Sequence, residues 1–157
     1  MAILFVASLL LIFGVILYFQ QQLTIFEMAG CWLVSLLFIH IWLDISGENL
    51  QLIQHARTIP LFTAVSISKA FLFPLMVVTF INLAVASGHV WQKVGWSVIG
   101  IMTISMCDIL HYRLHLFYAT GWRIQWTFGI WTFIFCVTLS LQLLFYSLLH
   151  KEKQSSL

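Results

Sequence analysis

The chain contains five long apolar stretches, and their length limits what it can fold into. Each is close to the roughly 20 residues that cross a hydrocarbon core as a helix. They cover residues 2–19, 23–43, 61–86, 94–110 or further, and 126–149. The sequence therefore predicts an all-α, polytopic integral membrane protein with five transmembrane helices, folded as a single transmembrane domain over residues 1–157.

The composition supports the same class and excludes others. Hydrophobic residues make up 62% of the chain and charged residues only 8%, whereas a soluble domain is nearer half apolar and a quarter charged. The formal net charge of +2, without a basic run, argues against a nucleic-acid partner. We expect a multi-pass protein of the cell membrane, surrounded by lipid, with other membrane subunits or a second copy of the chain as candidate partners.

Two local features refine this topology. Residues 44–60, DISGENLQLIQHARTIP, form the longest polar segment, and Ser46 is placed to cap a short helix there. We therefore predict an interfacial segment with a short helix between the second and third spans. Pro74 lies inside the third span and lacks an amide hydrogen, so it should kink that helix.

Ionisable residues inside the spans are the main functional signal, because a charge in the hydrocarbon core is costly and needs a partner. Lys69 lies about eight residues, or roughly 12 Å, into the third span. Asp108 is near the end of the fourth span, an antiparallel neighbouring helix, and lies at a similar depth. The sequence therefore predicts that the two residues pair. Together with His111 and His40 they form the predicted polar cluster, with His111 and His115 expected farther along, towards water.

The same region allows two sharper interpretations. Asp108, His111 and His115 are spaced i, i+3 and i+7 on one helix face, and His40 and Asp44 fall at the same end of the bundle. These are ligand types that zinc or non-haem iron accepts, and two of the histidines could ligate haem. Alternatively, Asp108 and His111 could belong to a proton or ion path.

Aromatic and basic residues near the ends of the spans are typical of the membrane interface. We expect Trp91, Trp122 and Trp126 to lie at headgroup level, and Arg113 to extend its guanidinium group to lipid phosphate.

A set of short motifs follows the second span. In chain order they are FLFPLMVVTFINL with Pro74 and Asn82, WQK at 91–93, Asp108, HLF at 115–117, GW at 121–122, and WT at 126–127. Over about residues 60–140, the chain resembles a family of small, uncharacterised multi-pass membrane proteins of spore-forming Firmicutes.

The resemblance implies a compact helical unit in the plasma or spore membrane. It singles out Asp108, Trp122 and Trp126 as positions that the fold needs. At position 69, before Pro74, the family would be expected to have a neutral or acidic residue, and Lys69 departs from that pattern. It assigns no reaction and no cofactor. We therefore interpret the chain as a non-enzymatic structural or accessory subunit with a buried Lys/Asp cluster. A proton- or ion-coupled transport component and a metal- or haem-binding membrane protein are the alternatives.

Overall fold

The computed structural model describes residues 2–20, 22–50, 52–55, 59–114, 117–119 and 123–155. Helices form most of this part of the chain. The α-helices are α1 (Ala2–Phe19), α2 (Ile25–Leu43), α3 (Ile59–Ile67), α4 (Phe73–Ala86), α5 (Val90–Arg113) and α6 (Ile124–Ser155). Two π-helical turns, π1 (Asp44–Asn49) and π2 (Ser68–Leu72), continue α2 and join α3 to α4. Two short strands complete the structure, β1 (Ile53–His55) and β2 (Phe117–Ala119).

Four helical segments are long and apolar enough to cross a membrane: Ile25–Ser46, Ile59–Ala86, Val90–Arg113 and Ile124–Leu148. The first helix is also apolar but shorter. Large hydrophobic side chains remain exposed along these segments, as expected for helices that face lipid. The predicted helical, polytopic membrane protein is thus confirmed at this level.

One segment forms the centre of the bundle. We call Ile59–Ala86, which comprises α3, π2 and α4, the central helix. In its apolar 18-residue stretch 72% of the residues are buried, against 17–28% in the corresponding stretches of the other three segments. Helix α1 packs on α3 and α4, while α2 and α5 pack on α4, and α6 closes the bundle against α2 and α5. The core is therefore built around a single helix, most of which is covered by the other helices.

Pro74 explains why this central helix is irregular. Without an amide hydrogen it cannot bond to the carbonyl four residues earlier, and its ring crowds that carbonyl. The turn before it is widened into π2, in which the amide of Phe73 bonds to the carbonyl of Ser68. A π-helical turn contains an extra residue, so the residues at its start are rotated relative to a regular helix.

The connection over residues 44–60 differs from the prediction of an interfacial helix. Helix α2 continues into π1, and β1 pairs antiparallel with β2, with Ile53 opposite Ala119. Ser46, the expected cap, is buried and its hydroxyl donates to the carbonyl of Leu43 at 3.4 Å. The predicted helix is wrong here because two connecting segments at the same end of the bundle satisfy each other's backbone groups. We call this end the β end.

The opposite end is held by Asn82, and we call it the Asn82 end. The fully buried Asn82 amide oxygen accepts from the backbone amides of Gln22 at 2.9 Å and Leu23 at 3.1 Å. Its amide nitrogen donates to the carbonyl of Gln20. One side chain of α4 thus fixes the turn between α1 and α2.

Helix α2 begins beside this turn with a capping box. The Glu27 carboxylate accepts from the amide and hydroxyl of Thr24, both at 2.8 Å, and the Thr24 hydroxyl accepts from the amide of Glu27 at 3.3 Å. Thr24 thereby satisfies a backbone donor that the first turn leaves open.

Candidate functional site

Polar side chains from the central helix, α5 and α6 meet inside the bundle. We call Ser68, Lys69, Asp108, His111 and Trp131 the polar cluster. Ser68 and His111 are 0% and 1% exposed, Lys69 and Trp131 are also buried, and Asp108 is partly buried. Asp108 and His111 are one turn apart on α5 and so share a helix face, and Pro74 places Ser68 and Lys69 in π2 opposite them.

His111 is held by a hydrogen bond at each ring nitrogen. Its Nδ1 lies 2.7 Å from the carbonyl oxygen of Cys107, and its Nε2 lies 2.8 Å from the hydroxyl of Ser68. The ring also packs edge-on against Phe5 and at a tilt against Phe73, with centroid separations of 6.3 and 5.4 Å. The imidazole is therefore fixed in both position and orientation.

Asp108 connects the rest of the cluster. Its Oδ2 accepts from the indole nitrogen of Trp131 at 3.2 Å, and its charge interacts with those of Lys69 and His111. The structure thus brings together Lys69, Asp108 and His111, three of the four residues of the predicted cluster. That Asp108 serves to neutralise Lys69 stays a prediction.

A cavity of ≈ 90 Å³ adjoins the cluster, and Lys69 and Asp108 both lie on its wall. A water molecule needs at least about 10–15 Å³ of such space, so the cavity is large enough for several. The rest of the lining is mostly apolar and aromatic and comes from α2, the central helix, α5 and α6. Arg113 and Ile124 line the cavity and are exposed at the β end.

Towards the Asn82 end the core is mostly apolar, with Ser105 and Gln142 among its buried polar residues. The fully buried apolar residues there include Phe135, Met76 and Ile81. Within the described part of the chain, the cavity beside the cluster therefore reaches the surface from the β end.

His40 and Asp44 do not join the cluster. The inward face of α2 is set by Cys31, Ser35 and Ile39, which follow each other at i, i+4. His40, one residue on, points about 100° away from that face and is exposed. Asp44 is exposed too, and its backbone amide caps the end of α2. The predicted place of His40 in the cluster is wrong for this reason.

Among the residues that the structure describes, the candidate ligands of the alternative metal or haem interpretation do not come together. His40 and Asp44 lie on an exposed surface, both nitrogens of His111 are already hydrogen-bonded, and His115 lies outside the described residues. Across the ranges that the structure describes, no group of three or more His, Cys, Asp and Glu side chains is arranged to hold a metal ion.

The expected interface residues lie near helix ends. Trp91 is in the first turn of α5 and is 86% exposed, and Trp126 is near the start of α6 and is 43% exposed. Arg113 is the last residue of α5. Trp122 lies outside the described residues, and the depth of all four in a bilayer stays a prediction.

Sequence reasoning missed Ser68 and Trp131. Both residue types can form a hydrogen bond with a buried ionisable group. Trp131 lies in an apolar stretch, and that context predicts a residue that only packs in the core. Ser68 directly precedes Lys69 and lies four residues from both Ala64 and Leu72, which are fully buried. That helical spacing, which puts Ser68 on the buried face, was the available signal.

No family model, no curated protein and no solved structure matches this chain.

Proposed function

We propose that the chain is a non-enzymatic accessory protein of the membrane, and that its polar cluster exchanges protons with the aqueous phase at the β end. The observation that carries this proposal is the position of Asp108 and Lys69 on the wall of a water-sized cavity next to exposed Arg113. Ionisable groups that are buried between helices and reach such a cavity are typical of proton relays.

The cluster is better suited to protons than to larger ions. A desolvated metal cation needs several oxygen or nitrogen ligands, whereas Asp108 already accepts from Trp131 and interacts with Lys69. Protons need only titratable groups linked by hydrogen bonds or water. Asp108, Lys69 and His111 supply three such groups in electrostatic contact.

The residue types present would permit an enzymatic role, but a substrate could not reach them. The separation of 2.8 Å between the Ser68 hydroxyl and His111 would suit a nucleophile and its base. However, both side chains are completely buried, and neither lines the cavity. A substrate carbonyl has no path to the Ser68 hydroxyl in this arrangement.

The topology that we propose has five spans, with a kink in the third. Helix α1 has 18 residues, or about 27 Å at 1.5 Å per residue, close to the core thickness of about 30 Å. Pro74 and the π turn before it support the kink. The resemblance to Firmicutes membrane proteins supports a plasma or spore membrane, and the exposed apolar faces of α2, α5 and α6 would contact lipid, other subunits or a second copy.

Reporter fusions test the number of spans. Five spans place the two termini on opposite sides, so reporters at residue 1 and residue 157 should respond oppositely to the two compartments. The same response at both ends would indicate four or six spans.

Infrared spectroscopy tests proton exchange. Difference spectra of the purified protein between neutral and acidic buffer should contain a carboxylic acid band that is lost in Asp108→Asn. The matched control is Glu27→Gln, a buried carboxylate at the Asn82 end that does not line the cavity, and it should keep the band. An unchanged band in Asp108→Asn would overturn the proposal.

A further inference from the structure

The hydrogen bonds around His111 restrict where its protons are. A carbonyl oxygen only accepts, so the contact of 2.7 Å between Nδ1 and the carbonyl of Cys107 requires a hydrogen on Nδ1. The hydroxyl of Ser68 has a single hydrogen and lies 2.8 Å from two acceptors, Nε2 of His111 and the carbonyl of Ala64. The proton count on Nε2 therefore decides which way the hydroxyl points.

Two arrangements are consistent with these positions. If His111 is neutral, the Ser68 hydroxyl donates to Nε2 and no hydrogen is left for the carbonyl of Ala64. If His111 is an imidazolium, Nε2 donates to the Ser68 oxygen, and the Ser68 hydroxyl donates to Ala64. Only the second arrangement makes hydrogen bonds of all three contacts at once.

The charges around the ring act in both directions. Asp108, on the same helix, attracts an imidazolium, and Lys69, in π2, repels it. The neighbouring side chains from α1 and α4 are Phe5 and Phe73, which have no charge, and the Cys107 thiol lies 3.9 Å from Nδ1. The described surroundings thus contain one anion and one cation near His111, so neither proton state is excluded by charge.

We propose that His111 is a proton-binding residue of the cluster, and that Ser68 reverses its hydroxyl when the proton arrives on Nε2. The incoming proton forms the Nε2–H bond, and the Ser68 hydroxyl keeps its own hydrogen but turns it from Nε2 to the carbonyl of Ala64. The proton comes from a hydronium ion of the aqueous phase at the β end, whose O–H bond breaks as the Nε2–H bond forms, leaving water. This inference rests on the proposed function, because it names the residue at which that proton exchange ends.

Because Ser68 is the first residue of π2, the reversal changes the hydrogen bonding of the turn that carries Lys69. In both states a hydrogen bond joins the side chain of Ser68 to His111 on α5, and only in the protonated state does the hydroxyl also bond back to α3 through the carbonyl of Ala64. Proton binding at His111 therefore adds a hydrogen bond between the π turn and α3.

Nitrogen-15 spectroscopy of the full chain, labelled at its six histidines and held in lipid nanodiscs, tests this directly. His111→Gln assigns the signal. We expect Nδ1 to be protonated throughout, and Nε2 to gain its hydrogen as the pH falls. An Nε2–H tautomer in the neutral state, or no change with pH, would overturn the inference.

Ser68 variants give a second readout. Ser68→Ala leaves the Nε2–H of the imidazolium without an acceptor, and should lower the proton affinity of His111 about tenfold. Ser68→Thr keeps the hydroxyl and should restore the affinity of the parent chain. Equal affinities in all three proteins would contradict a role for Ser68, and melting temperatures recorded in parallel show whether each variant is folded.

The outcomes also separate this inference from the proposed function. If Asp108→Asn loses the carboxylic acid band but His111 keeps one hydrogen at every pH, the cluster exchanges protons through Asp108 and the inference is wrong. If His111 gains its second hydrogen while the band of Asp108→Asn is unchanged, the inference holds and the proposed role of Asp108 fails.

Discussion

The two ends of the bundle use buried polar side chains in opposite ways. At the Asn82 end, a neutral amide bonds to three backbone groups of one turn, and each of these bonds has one donor and one acceptor. In the polar cluster, near the β end, ionisable side chains of the central helix and α5 lie beside a cavity with hydrogen bonds to Ser68 and Trp131, and the Ser68 hydrogen has two possible acceptors.

The difference separates a structural role from a functional one. Buried polar groups are tolerated when they are fully hydrogen-bonded, and the Asn82 network meets that requirement with no titratable group among its partners. The polar cluster keeps three titratable side chains inside the membrane, where each is costly. A protein that needed only to join helices could do so with the first type of network, so the second type is where function is expected.

The largest effect should come from breaking the predicted Lys69–Asp108 pair. Asp108→Asn or Lys69→Met leaves one charge in the bundle without its counter-charge, which should lower stability by about 3 kcal/mol. The double variant removes both charges and should recover part of the loss. Thermal unfolding in detergent measures all three variants, and a double variant whose loss is the sum of the two single losses would show that no pair exists.

Asn82→Ala should have the next largest effect. It leaves the amides of Gln22 and Leu23 and the carbonyl of Gln20 without their partner, at a cost of about 2 kcal/mol. Because no titratable group is involved, the loss should be the same at neutral and mildly acidic pH. Gln92→Ala, on an exposed surface, is the control. A loss that varies with pH for Asn82→Ala but not for the control would remove the distinction between the two ends.

His111→Gln tests the polar cluster again, with a smaller expected effect. The sequence places His111 towards water, where its replacement should do little, but the buried ring bonds to Cys107 and Ser68. Glutamine cannot reproduce both bonds, so stability should fall by about 1–2 kcal/mol. His89→Gln, exposed at the start of α5, is the control. Equal melting temperatures for the two variants would restore the original expectation.

These residues also show how much of the fold and of the polar cluster can be predicted from the sequence. Apolar length predicts the helices because lipid leaves the backbone no other partners. Counting residues inward placed Lys69 and Asp108 at a similar depth, and the structure has both on the wall of one cavity. Counting gives depth but not rotation, so it put His40 in the cluster. It put His111 near water because the span was counted to residue 110 or further, whereas α5 continues to Arg113 with His111 buried. Ser68 lies four residues from the fully buried Ala64 and Leu72, so its spacing predicts burial but not that His111 is its partner.

The smallest effect should come from Glu27→Gln, which removes a buried carboxylate at the Asn82 end. Glu27 accepts from the amide and hydroxyl of Thr24, and a glutamine carbonyl can accept both bonds, since either residue completes a capping box. The loss should stay near 0.5 kcal/mol, the lower limit for a perturbed cap.

Glu27→Gln and Asp108→Asn are the same chemical change, a carboxylate replaced by its amide, at the two ends of one bundle. If the polar partners of a carboxylate are backbone and hydroxyl donors, the amide replaces it at little cost. If they include a buried cation, as Lys69 is near Asp108, the missing charge dominates. Similar losses for the two variants in thermal unfolding would mean that Asp108, like Glu27, acts only as a hydrogen-bond acceptor, and the contrast between the two ends would then disappear.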